Sequence, residues 1–301
     1  MPRKQTYAVV GGDMRQAYLA DALATHCDDC PIYAMCLDKD VTLCGNVKCG
    51  GDLAAVLPRC DVVILPLPLL DSAGALNTPL SFGTLALDEC LQHISPQAMV
   101  FGGKITPQAR QAAHARGIEL IDYLEREELT VLNAVPTAEG AVEIALRELP
   151  ITLLGANCVV AGYGRIGKIL ARLLRAFGAN VTVVARSCEA LAWACADGMH
   201  AAHLPLIDDT LAQSDVIFNT VPSLIFCERQ LTLLRTRCLV IDLASQPGGV
   251  DFDAAKKLGV RTIWALSRPG KVAPESAGQV ILDTIFNILH ERGGLMCPAQ
   301  P

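Results

Sequence analysis

The run "VVAGYGRIGKILARLL" (159–174) constrains this chain more than any other feature. It sets Gly162, Gly164 and Gly167 in G-x-G-x-x-G spacing, after an apolar strand-like run and at the start of an amphipathic helix pattern. "GANVTVVAR" (178–186) follows as the next strand. Strand, glycine turn, helix and strand form a unit that binds dinucleotides. The first glycine allows the tight turn, the second lets backbone approach a pyrophosphate, and the third lets helix and strand pack closely. The helix start adds unpaired N–H groups and the positive end of its dipole. Gly162, Tyr163, Gly164, Arg165, Ile166 and Gly167 are therefore the candidate cofactor turn. The plainer alternative is a glycine-rich turn that holds no nucleotide.

The second strand ends on Arg186 and Ser187, where many dinucleotide sites carry an acid. A carboxylate there accepts hydrogen bonds from the ribose hydroxyls of NAD and repels a 2′-phosphate. A guanidinium reverses that sign and matches phosphate oxygens in a fork. Ser187 adds a hydroxyl donor, so NADP is favoured over NAD. The alternative is a solvent-facing arginine with no ligand role.

Strand-like and helix-like runs alternate twice along the 301 residues. In the first half "TYAVVGG" (6–12), "DVVILPLP" (61–68), "AMVFGG" (98–103) and "GIELIDY" (117–123) read as strands. In the second, "ANCVVAGYG", "ANVTVVAR", "SDVIFNTVP", "CLVIDLAS" and "VRTIWAL" do. The pattern predicts an α/β chain of two Rossmann-like, doubly wound parallel-sheet domains with a cleft between them. The boundaries are a substrate domain over 1–135, a connecting helix over 136–150 opened by Pro136, and a nucleotide domain over 151–273. A helix over 274–292 returns to pack on the first domain, and 293–301 is a disordered tail.

In such sheets ligands lie beyond the carboxyl ends of the strands. "NTVPS" (219–223) and "DLASQPGG" (242–249) stand there, making Thr220, Val221, Pro222, Asp242, Leu243 and Ala244 cofactor candidates and Ser245 a substrate candidate. Each also reads as ordinary loop chemistry. The formal charge of −6 argues against nucleic acid or an acidic membrane as the main partner. No apolar run reaches the roughly 20 residues of a membrane span, and the early strand leaves no room for a signal peptide. Thirteen cysteines in a chain with an ample core read as reduced thiols. Five of them fall within 27–49, but "CDDC" has no second C-x-x-C, so no metal is expected. His200 and His203 of "HAAH" read as surface or loop histidines.

"GGDMRQ" (11–16), "GGKITP" (102–107), "DYLEREELTVLNAVPTAEGA" (122–141), "DLASQPGGVDF" (242–252) and "PGKVAPESAG" (269–278), with the glycine turn, resemble the family of the dipicolinate synthase A subunit. The resemblance spans about residues 6–292. It implies an NADP-dependent oxidation of dihydrodipicolinate to dipicolinate during spore formation, in the mother-cell cytoplasm. A flavoprotein-like second subunit would be the partner, and a homo-oligomer is expected. A small ring with two carboxylates needs cations and N–H or O–H donors. Arg15 is the first candidate clamp, followed by Lys104, Arg268 and Lys271, with Thr106 and Thr137 as hydroxyl donors. Glu125, Glu127 and Glu139 are the candidate bases; each also reads as a solvated helix face.

"GRIGKILARLLRAFGANV" is equally typical of D-2-hydroxyacid dehydrogenases. That chemistry calls for a late histidine, and "KVAPESAG" has none. A nucleotide-binding regulatory subunit without turnover is the other alternative.

Overall fold

The computed structural model describes residues 5–27, 29–39, 41–265 and 269–293. They divide into two compact units, one running to Leu132 and resuming at Ala273, the other spanning Asn133–Val272.

The first unit holds a six-stranded sheet of β1 (Tyr7–Val10), β2 (Ile32–Met35), β3 (Val47–Cys49), β4 (Val62–Ile64), β5 (Met99–Gly102) and β6 (Leu120–Asp122). Its order is β3-β2-β1-β4-β5-β6, and every pair is parallel. The strands are short apolar runs because both faces are covered. Alternate residues enter opposite layers. Val9, Ile64 and Phe101 pack with Leu19, Leu23, Ile281 and Ile285, whereas Val10, Val63 and Val100 pack with Leu57, Leu91 and Ala113.

The second unit repeats the topology with β7 (Asn157–Ala161), β8 (Asn180–Ala185), β9 (His200–His203), β10 (Val216–Asn219), β11 (Leu239–Asp242) and β12 (Arg261–Trp264). Its order is β12-β11-β10-β7-β8-β9, again all parallel. Both orders are those of the dinucleotide-binding fold, with the topological switch beside the unit's first strand. Both units are Rossmann-like.

Three strands escaped the sequence reading. β2 and β3 lie inside the cysteine-rich stretch, and "HAAH" is β9 rather than loop. The helix expected to connect the domains starts at Ala134 and belongs to the second unit. Ala138, Ala141, Ile144 and Ala145 pack there against Leu170, Ala171 and Leu174. Contrary to the hydropathy expectation, Glu127–Glu148 is long and apolar enough to cross a membrane by length and composition. However, 56% of its most apolar window is buried within the fold.

The helix Pro274–Glu291 packs on the helix Met14–His26 inside the first unit. Gly278 makes this possible, since a Cβ there would lie 2.5 Å from the Arg15 carbonyl oxygen. Arg126 forks onto both oxygens of Glu291 at 2.6 Å, and Arg292 onto both of Glu119 at 2.8 and 2.9 Å.

Candidate functional site

The glycine turn follows β7, and each glycine has its own physical reason. Gly162 has φ +93°, and a Cβ on it would meet the Thr220 hydroxyl at 2.3 Å. Gly167 has its Cα against the Gly162 carbonyl, where a Cβ would fall 2.2 Å from the oxygen. Gly164 faces open space, with nothing within 4 Å of a Cβ. It is the N-cap of the helix Arg165–Ala176 and supplies no side-chain cap. First-turn N–H groups thus stand beside a space that no side chain fills. That arrangement fits a pyrophosphate.

Around the turn, several expected cofactor contacts are already committed to the protein. The Thr220 hydroxyl donates to the Ala161 carbonyl at 2.9 Å. Tyr163 turns inward, with its hydroxyl donating to Asp197 Oδ2 at 2.5 Å. Burial first, then that bond, pushes the Tyr163 hydroxyl up to about 12, while the same bond holds Asp197 below its ordinary value. Asp242 is fully buried. Its Oδ1 accepts from Asn219 Nδ2 at 2.8 Å and Ala244 N at 3.0 Å, and its Oδ2 accepts from Gly249 N at 2.8 Å. The Asp242 and Tyr163 side chains therefore shape the loops and are not free to touch a cofactor. Leu243 and Ala244 are buried too, while Val221 is half-buried and Pro222 exposed.

At the end of β8, Arg186 is exposed and, among the described residues, makes no hydrogen bond or ion pair. Ser187 caps the helix Cys188–Ala196 by accepting from Ala190 N at 3.4 Å. Arg165 and Ile166 begin the preceding helix, exposed and half-buried respectively.

In the first unit, Asp13 caps the helix Met14–His26 and grips Arg15. It takes Nε at 2.9 and 3.2 Å and Nη2 at 2.9 Å, while Nη2 also donates to the Leu67 carbonyl. The Arg15 side chain is 11% exposed, and none of these bonds uses Nη1. Lys104, just past β5, is exposed and holds a left-handed φ of 58°. The buried Asp122 carboxylate fixes that turn by accepting from Lys104 N at 3.1 Å and Ile105 N at 2.7 Å. Gln16 is fully buried, and among the described residues neither its amide nitrogen nor its oxygen makes a well-formed hydrogen bond. These groups all stand past the carboxyl ends of β1, β4, β5 and β6.

Residues 6–124 match the N-terminal domain of the dipicolinate synthase A subunit, and 138–244 match the D-isomer specific 2-hydroxyacid dehydrogenase NAD-binding domain. The dipicolinate synthase A subunit of Bacillus subtilis (strain 168) is 32% identical over 286 residues, covering 94% of this chain and 95% of the relative. The chain belongs to the dipicolinate synthase A subunit family. The crystal structure of the dipicolinate synthase A subunit from Bacillus halodurans superposes with a TM-score of 0.85 at 31% identity, covering 95% of this chain and 97% of that one. A transhydrogenase from Sinorhizobium meliloti, at 15% identity and a TM-score of 0.68, covers 95% and 94% and shares the fold. A dipicolinate synthase A-type chain with this nucleotide unit has an oxidoreductase's nicotinamide-binding machinery.

In this family member the three candidate bases are all exposed, Glu125 and Glu127 in the first unit and Glu139 in the second. Glu125 is exposed and paired with Arg110 at 3.0 Å. Glu127 is exposed and opens the helix Glu127–Leu132. Glu139 lines an open groove of the second unit with Leu173 and Phe177, at the helix end remote from the glycine turn. Thr106 caps the helix Pro107–His114, accepting from Ala109 N at 3.2 Å, and Thr137 donates to the Asn133 carbonyl at 2.9 Å. Ser245 and Lys271 are exposed, whereas Arg268 lies outside the described residues. Asn219, Gly249, Asp122 and Gln16 were missed. Only "DLASQPGG" hinted at the Asp242 network, because an acid before a Gly-Gly pair is a loop-organising pattern.

Proposed function

We propose that this chain oxidises dihydrodipicolinate to dipicolinate with NADP as hydride acceptor, alongside a flavoprotein-like second subunit. The observation that carries the reading is Arg186, an exposed guanidinium without a partner among the described residues, at the strand end beside an open glycine turn. A cation there compensates a 2′-phosphate and leaves the ribose hydroxyls of NAD without an acceptor.

The first-turn N–H groups of the helix Arg165–Ala176 would hold the pyrophosphate, with Gly164 leaving its space clear. A bound nicotinamide would supply the hydride acceptor for oxidation of the substrate ring. Lys104 leads the carboxylate-binding groups, because its ammonium is exposed while Asp122 fixes its backbone. Arg15 comes second, because Asp13 already offsets its charge. A raised carboxylate base needs burial, and Glu125, Glu127 and Glu139 are all exposed. The released proton therefore passes to water, since aromatisation of the ring supplies the drive and binding supplies the geometry.

The test is absorbance at 340 nm on purified protein with freshly generated dihydrodipicolinate and NADP, in the presence and absence of the flavoprotein-like partner. Reduced nucleotide formed one-to-one with dipicolinate supports the reading. Tight NADP binding without turnover in both mixtures overturns it in favour of a regulatory role.

A further inference from the structure

The end of β8 does not stand alone. β8 and β9 run parallel with Ala185 paired to His203, so Arg186 is the residue after His203's register partner. Neighbouring strands lie about 4.8 Å apart. The chain then turns through Ser187 into the helix Cys188–Ala196, and Cys188 Sγ comes to 3.8 Å from His203 Nε2. That contact shows which way the ring points, with its Nε2 edge turned to the 186–188 corner that carries Arg186. His203 is half-buried, so the ring is held, and among the described residues neither it nor Arg186 has an ion-pair partner. Glu189, in the first turn of the same helix, pairs with neither.

We infer that His203 is the second half of an anion clamp with Arg186, donating an imidazole N–H to the phosphate on the adenosine 2′ oxygen. The inference rests on the NADP reading above. It places part of the nucleotide selection on β9, outside the glycine turn and the arginine that marks the strand end. Ser187 accepts the Ala190 N–H as the helix cap and keeps its O–H as a further donor at the same corner.

Calorimetric titration of the full-length protein with NADP and with NAD tests this without turnover. His203→Ala is expected to weaken NADP about tenfold, in the range of one charge-assisted hydrogen bond. NAD affinity should stay unchanged, which also shows that the variant is folded. His203→Arg should recover most of the loss. An equal change for both nucleotides, or none for either, overturns the inference while leaving the NADP reading intact if Arg186→Ala alone removes the preference. A wild-type protein that binds both nucleotides equally overturns the NADP reading itself, and the clamp with it.

Discussion

Asn219 Nδ2 meets Asp242 Oδ1 at 2.8 Å beneath the carboxyl ends of β10 and β11, and both residues are fully buried. Asn219 spends its remaining capacity on Val221, donating to that carbonyl at 3.0 Å and accepting its N–H at 3.1 Å. One side-chain pair thereby ties the loop after β10 to the loop after β11. Asp242→Ala strands three donors in the interior and should cost about 3 kcal/mol or more by urea denaturation. Loss below about 1 kcal/mol would mean that the loops hold without the pair.

The glycines of the nucleotide turn should separate stability from binding. Gly164→Ala has room for its methyl group, so its melting temperature should stay at the wild-type value while NADP affinity falls at least about tenfold. Gly167→Ala drives a methyl into the Gly162 carbonyl and should lose about 1–3 kcal/mol of stability. Thermal melting with parallel titration checks both. Equal behaviour of the two variants would contradict the assignment of Gly164 to the ligand.

Much of this was legible in the sequence, and what was not has a common cause. The two sheets follow from apolar runs of a few residues punctuated by Gly, Pro and Asp, which are local signals. β9 was missed because "HAAH" carries two imidazoles where a strand usually shows branched apolar side chains. Tyr163 and Asp242 were read by position as ligand contacts. Their side chains bond partners 34 residues away, at Asp197, and 23 residues away, at Asn219. No window along the chain reveals that a side chain is already occupied at such range. Arg186 differs from them, since among the described residues its side chain has no hydrogen bond or ion pair.

Lys104 holds a conformation that favours glycine. Lys104→Gly should therefore raise stability by about 0.5–1 kcal/mol, yet weaken binding of dipicolinate. Lys104→Ala keeps the strain and should weaken binding without the gain. Stabilisation with unaltered dipicolinate affinity would remove Lys104 from the substrate site.

The ion pairs that fasten the helix Pro274–Glu291 set a pH dependence. The hydrogen bond from Arg126 holds Glu291 below the usual carboxylate range, and that from Arg292 does the same for Glu119. A depressed carboxylate stabilises the fold above its unfolded value of about 4.3 and loses that contribution as pH falls through the folded value. The Arg126→Gln, Arg292→Gln double variant should thus melt below wild type at pH 7, by a modest margin because the pairs are exposed. The gap should close on acidification below about pH 4. A gap that persists at low pH would assign the effect to packing.

The most direct measurement is kcat/KM for dihydrodipicolinate oxidation with saturating substrate and either NADP or NAD, in wild type and in Arg186→Asp. A guanidinium that holds the 2′-phosphate predicts a wild-type preference for NADP of about 10–150-fold, with the order reversed toward NAD in the variant. Equal efficiency with the two nucleotides in wild type, or a preference that Arg186→Asp leaves in place, would contradict it.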